Sequence, residues 1–129
     1  MKILICGGRN FYKYSLLRET LTKILDDIWH EHEDTEITFI QGGASGADFL
    51  AKVFALDEMG WLNSPKVLHQ EFLADWKTHG RAAGMIRNQE MLDEGKPDLV
   101  VAFPGGSGTE DMIRRSKKAG IKVIEVEDK

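Results

Sequence analysis

Short apolar runs alternate with longer amphipathic stretches along the chain. Apolar positions recur at helical spacing, with charges between them, and predict helices at 14–33, 47–59, 82–92 and 110–119. Runs of strand length predict five strands, of which the third is the weakest, at 3–6, 37–40, 67–72, 99–103 and 121–126. A polar stretch at 76–81 precedes the third helix, and Gly60 is expected to end the second.

This alternation predicts an α/β fold with right-handed β–α–β crossovers. Helices then cover both faces of the sheet, which gives a three-layer sandwich. The simplest layout is a mostly parallel five-stranded sheet in the order 3-2-1-4-5, built as a single domain over residues 1–129. The winding would reverse between the first and fourth strands, and ligands of open α/β sheets bind in such a crevice.

Glycine-rich turns follow three of the predicted strands and precede helices. They comprise Gly7, Gly8 and Arg9; then Gly42, Gly43, Ala44, Ser45 and Gly46; then Pro104, Gly105, Gly106, Ser107, Gly108 and Thr109. Glycine lets a ligand approach the main chain, and exposed amides with a helix dipole behind them favour phosphate. One such turn is explained by tight chain reversal alone. Three at one sheet edge, with eight of the thirteen glycines, favour a shared phosphate pocket.

Side chains beside these turns are further candidate ligand contacts. Arg9 is either a surface arginine or a phosphate clamp, and its position directly after two glycines favours the clamp. Arg87 either offers its guanidinium fork to an anion or lies on the surface. Asp48 either offsets the dipole of the second helix or hydrogen-bonds a ribose hydroxyl. Trp76 is either a core residue or a base-stacking side chain, and Asn88 follows Arg87 on the predicted helix.

Composition narrows the function classes and the location. A net charge of −4 argues against nucleic acid as a partner, because such proteins carry a basic footprint. Cys6 is the single cysteine, so no internal disulfide forms and a cytoplasmic location is expected. No apolar segment approaches the ~20 residues of a membrane span. The sequence also lacks metal-ligand spacing, a P-loop and a dinucleotide fingerprint, so no metal or cofactor is predicted.

Four ordered motifs carry a family resemblance that spans nearly the whole chain. They are Gly7-Gly8-Arg9, Gly42-Gly43-Ala44-x-Gly46-Ala47-Asp48, Trp76-x-x-x-Gly80-x-x-Ala83-Gly84-x-x-Arg87-Asn88-x-x-Met91 and Ala102-Phe103-Pro104-Gly105-Gly106-x-Gly108-Thr109. This set resembles the YspA/YpsA-related branch of the SLOG superfamily, which includes the LOG proteins and the DNA-processing protein DprA. The resemblance implies a Rossmann-like fold and a pocket for nucleotides or their derivatives.

The resemblance also implies a homo-oligomer. Apolar side chains on the helices of a small sheet would pair the subunits, and the candidates are Phe49, Trp61 and Leu62.

Three functions follow as hypotheses. The favoured one is a binding protein that senses, carries or sequesters a nucleotide-derived ligand. A second is LOG-like hydrolysis of the base–ribose bond in nucleoside monophosphates. The third, single-stranded DNA binding as in DprA, is opposed by the net charge.

The LOG enzymes use an Arg-Lys-x-x-Met motif together with Pro-Gly-Gly-x-Gly-Thr-x-x-Glu. Here Arg87 stands at the matching arginine, Asn88 replaces the lysine and Met112 occupies the glutamate position. A hydrolase of this type would therefore depend on Arg87 and on a substitute carboxylate, for which Asp48, Glu110 and Asp111 are the candidates.

Overall fold

Apolar residues predominate in the three central strands because the sheet is covered on both faces. In the computed structural model, which describes residues 1–58 and 67–128, the strands are β1 (Lys2–Cys6), β2 (Ile37–Gln41), β3 (Val67–Glu71), β4 (Leu99–Ala102) and β5 (Lys122–Glu125). Successive side chains of a strand point to opposite faces. Ile3 and Ile5 of β1 therefore enter one hydrophobic cluster, while Leu4 and Cys6 enter the other.

All four strand pairings are parallel, in the order β3-β2-β1-β4-β5. The α/β class and the predicted strand order are both confirmed. The winding reverses between β1 and β4, where Cys6 is in register with Ala102. The segments that leave these two strands therefore flank the crevice at the carboxyl edge of the sheet.

Helices form the two outer layers. They are α1 (Tyr14–Glu31), α2 (Ala47–Val53), α3 (Trp76–His79), α4 (Ala83–Asp93) and α5 (Ser107–Lys118). The first two cover one face, where α1 buries Leu17, Leu21 and Leu25 at helical spacing. The other face is covered by α4 and α5, which bury Met91 and Met112.

Three element boundaries differ from the sequence prediction. The last helix begins at Ser107, three residues earlier than predicted, so half of the third glycine turn is helical. The second helix ends at Val53 and continues as a π-helical turn, Phe54–Glu58; Met59 and Gly60 lie outside the described residues. The polar stretch after β3 forms α3 because the Asp75 carboxylate caps it, accepting from the Thr78 amide at 3.1 Å.

Two of the three apolar side chains predicted to pair subunits, Trp61 and Leu62, lie outside the described residues. Phe49 is exposed on α2, and the homo-oligomer stays a prediction. Across residues 1–58 and 67–128, no helix has the length and apolar character that a bilayer crossing requires.

Candidate functional site

The three glycine turns lie in contact with one another at the carboxyl edge of the sheet. The Gly8 amide donates to the Pro104 carbonyl at 2.9 Å, and the Gly8 carbonyl accepts from the Ala47 amide at 3.2 Å. A Cβ on Gly46, whose φ is +76°, would overlap the Gly8 carbonyl oxygen and the Arg9 backbone. Glycine is therefore required at this junction to let two backbones meet.

In the first two turns, protein groups already occupy several of the amides that the sequence predicts as anion donors. Besides the Gly8 amide, the Gly43 amide donates to the Gln41 side-chain oxygen at 2.5 Å. The Ala44 amide donates to the Asp48 carboxylate at 3.2 Å. An anion at these turns would have to displace an internal acceptor, so their amides are poor candidates for binding it.

The third turn is arranged differently. Gly105 packs against Thr109 and the Gly8 amide, but a Cβ on Gly106 or Gly108 would meet no atom within 4 Å. Gly106 caps α5 and supplies no side-chain acceptor. The first amides of a helix have no partner within that helix, so this open helix start can receive an anion.

A crevice of about 610 Å³ lies where the turns meet α4 and α5. Many of the predicted site residues line it: Gly7, Gly8, Arg9, Ala44, Asp48, Arg87, Asn88, Gly106, Ser107, Gly108, Thr109 and Asp111. Of the others, Gly42, Gly43 and Ser45 line a side pocket of about 350 Å³. Pro104 and Gly105 line a third pocket on the other side of the first turn. Gly46 is confined to the turn junction, and Glu110 is exposed and does not line the crevice.

The crevice is lined by more arginines than carboxylates, so its formal charge is positive. The arginines are Arg9, Arg81, Arg87 and Arg114, and the carboxylates are Asp48 and Asp111. Arg81 and Arg114 are not among the site residues predicted from the sequence. Arg81 could have been identified from its position in the polar stretch that follows a strand at the same sheet edge. Arg114 lies one helical turn beyond Asp111 and therefore on the same side of α5. It could be identified only after the structure shows that this side of the helix faces the crevice.

Arg87 holds the second turn as well as lining the crevice. Its guanidinium donates to the Gly42 carbonyl, and its Nε donates to the Asn88 side-chain oxygen at 3.3 Å. A Cβ on Gly42 would lie 2.7 Å from the guanidinium carbon, so Gly42 is required for this contact. Burial lowers the pKa of Arg87, and the Asp48 carboxylate partly opposes that shift.

Asp48 and Cys6 form the buried floor of the crevice. Burial raises the pKa of Asp48 to about 6, although the Ala44 amide and the charge of Arg87 oppose the rise. Burial, followed by the Asp48 charge, raises the pKa of Cys6 to about 12. Asp48 can therefore exchange a proton near neutral pH, whereas Cys6 stays a thiol and is a poor nucleophile.

Asp111 is held as an ionised anchor. Burial alone would raise its pKa, but hydrogen bonds from Asn88 at 3.0 Å and Arg115 at 2.8 Å, with the charges of Arg115 and Arg114, outweigh it and lower the pKa. A carboxylate with these partners is a poor proton donor. Met112, which occupies the glutamate position of the LOG motif, is buried and lines the crevice.

Trp76 lies in the wall shared by the crevice and the side pocket. The Arg9 guanidinium carbon lies 5.3 Å from the centroid of its indole, within the range of a cation–π contact. Trp76 is 48% exposed, so its alternative interpretation as a core residue is wrong. In the described ranges, no three His, Cys, Asp or Glu side chains converge as metal ligands.

Comparison with known proteins yields matches of three kinds. A family model described as the YspA, cpYpsA-related SLOG family matches residues 1–79. The Gene 61 protein of Mycobacterium phage D29 is 37% identical over 132 residues, which cover 99% of this chain and 98% of that protein. The X-ray structure of TM1055, a structural genomics target, superposes with a TM-score of 0.57 at 19% identity, over 95% of this chain and 71% of that one. This last likeness shows the shared fold.

Proposed function

We propose, from the premise that this chain belongs to the YspA, cpYpsA-related SLOG family, that it binds a nucleotide or nucleotide-derived phosphate ligand in the crevice. It would act as a sensor, carrier or sequestering protein. The observation that carries the proposal is the set of four arginines around a crevice of about 610 Å³, in a chain whose net charge is −4. Positive side chains gathered in one crevice of a protein that is negative overall attract an anionic ligand to that crevice.

Arginine and helix-start chemistry supports phosphate as that anion. A guanidinium donates through a planar fork that matches phosphate oxygens. The open start of α5, at Gly106 and Ser107, lies in the same crevice. The crevice volume also falls within the range of ~300–1,000 Å³ that is usual for small-molecule sites.

Calorimetric titration with AMP and ADP tests this proposal. We expect both to bind, and the double variant Arg9→Gln/Arg81→Gln to bind each at least about tenfold more weakly, since hydrogen bonds to charged groups contribute about 1.5–3 kcal/mol. The control is Lys23→Gln/Lys122→Gln, which removes the same charge from exposed positions outside the crevice. If both double variants bind AMP and ADP equally weakly, the loss is due to the overall charge of the protein, and the proposal of a specific site in the crevice is contradicted.

Asp48 favours a second function, hydrolysis of the base–ribose bond. The transition state of that reaction has oxocarbenium character, and a carboxyl group with a pKa of about 6 can supply a proton near neutral pH. Chromatography of AMP incubated with the protein would show free adenine. Activity should disappear in Asp48→Asn, persist in the exposed control Asp57→Asn, and fall as the pH rises above about 6. AMP that stays intact with the unmodified chain would leave binding as the function.

A further inference from the structure

Trp76 presents a half-exposed indole at the mouth of a pocket that is otherwise rich in arginine. It opens α3, whose start is held by the Asp75 cap. A planar aromatic face in a binding crevice can stack a nucleobase, and stacking accepts any base because every base has a π-face.

One face of that indole is already covered by the Arg9 guanidinium, at 5.3 Å. Arg9 is exposed, and among the described residues its guanidinium has no carboxylate partner. Arg87 and Arg114, in contrast, are held by hydrogen bonds to Gly42 and Asp111. Arg9 is therefore a crevice arginine that a ligand can move at little cost, and it is the arginine that lies over the indole.

We infer that a nucleobase stacks on Trp76 in place of Arg9, and that the displaced guanidinium then binds the phosphate of the same ligand. The inference rests on the proposed function and narrows it, since the ligand must carry an aromatic base as well as a phosphate. A sugar phosphate or inorganic phosphate leaves the indole unused. The crevice and the side pocket share Trp76, Arg9 and Arg87, so a base on the indole lies beside two arginines.

The exchange predicts opposite effects of one substitution on two ligands. Arg9→Gln should weaken binding of AMP, because a phosphate contact is lost. The same change should strengthen binding of adenosine, which has no phosphate, because Arg9 no longer competes for the indole. An exposed cation–π contact corresponds to a gain of about two- to fivefold. Arg81→Gln removes a crevice arginine that does not lie over the indole. It should weaken the binding of AMP and should not strengthen the binding of adenosine.

The experiment measures the affinities of AMP, ribose 5-phosphate and adenosine, by calorimetry or by NMR titration where binding is weak. Trp76→Leu should lower the AMP affinity by about 5- to 150-fold, toward that of ribose 5-phosphate, and should not weaken the binding of ribose 5-phosphate. Trp76→Phe should have an AMP affinity between those of the unmodified chain and of Trp76→Leu. Phe49→Leu is the matched control, an exposed aromatic outside the crevice, and should change none of the three.

Two results would overturn the inference while leaving the proposed function intact. One is equal affinity of the unmodified chain for AMP and ribose 5-phosphate; the other is weaker adenosine binding in Arg9→Gln. Failure of all three ligands to bind would overturn the proposed function along with it. Circular dichroism of each variant confirms that its fold is retained.

Discussion

After β1 and β2, the glycines bring one backbone against another; after β4, two of them open a helix start to the crevice. Gly46 contacts Gly8, and the amides of Gly8 and Gly43 donate to protein acceptors. Gly106 and Gly108 have open space where a Cβ would stand. The two regions have similar composition, so a glycine-rich turn is evidence for binding only where its amides are left without internal partners.

The three turns have different roles in the site. The first two turns serve as scaffold, because their glycines remove the Cβ atoms that would separate β1, α2 and the third turn. The third turn, together with the arginines, serves as the anion-binding part.

Substitution of Gly46 should damage the scaffold most. Gly46→Ala combines a φ of +76° with overlap against the Gly8 and Arg9 backbones, so we expect it to lower the free energy of unfolding by about 4 kcal/mol or to prevent folding. Gly120→Ala is the control, because φ is +77° there but no atom lies near the added Cβ; it should cost about 1–2 kcal/mol. Urea unfolding measures both, and equal losses would remove the backbone contact from the explanation.

Gln41→Leu tests whether the second turn depends on its internal acceptor. The buried Gln41 side chain accepts from the Gly43 amide and donates to Glu71 at 2.8 Å. Its loss should cost about 1 kcal/mol per hydrogen bond in the free energy of unfolding, because the Gly43 amide loses its acceptor and Glu71 loses a donor. Gln70→Leu on β3, where the described residues show no side-chain hydrogen bond, should cost far less. Similar unfolding curves for the two variants would contradict this role.

Asp48 makes stability depend on pH in the direction opposite to most carboxylates. Its pKa is about 6 in the folded chain, above the ordinary value of 3.8, so the folded state binds the proton more tightly. The resulting stabilisation is present at low pH and is lost as the pH rises through about 6.

Between pH 4.5 and 7.5, the unmodified chain should therefore lose about 2 kcal/mol relative to Asp48→Asn. Urea unfolding of both chains at the two pH values measures this difference, because the other titrating groups are common to both. A constant difference would show that Asp48 is ionised throughout.

Gly108→Ala should have the smallest effect on stability and a visible effect on binding. Alanine replaces glycine inside α5 without a contact, so the free energy of unfolding should rise by up to about 1 kcal/mol. The added methyl group enters the crevice and should weaken AMP binding. Unchanged AMP affinity in a more stable variant would break the assignment of the third turn to anion binding.

Periodicity and glycine placement were sufficient to predict most of the fold. The parallel sheet, its order and the meeting of three turns at one edge all follow from short-range patterns. The start of α5 was missed because Ser107, Gly108 and Thr109 read as a turn locally but are helical once Gly106 caps them. The missed arginine Arg81 lies on a 3₁₀ turn after α3, a segment to which the sequence assigned no helix.

The alternation of strands and helices, the sheet order and the edge at which the glycines gather all follow from the amino-acid sequence, because each depends on local spacing and on β–α–β handedness. Which amides are occupied, which arginines reach the crevice and why the pKa of Asp48 rises to about 6 depend on the folded arrangement. Those properties depend on groups far apart in the chain, such as Gly42 and Arg87, separated by 45 residues. Burial and charge act through space, and no local pattern encodes them.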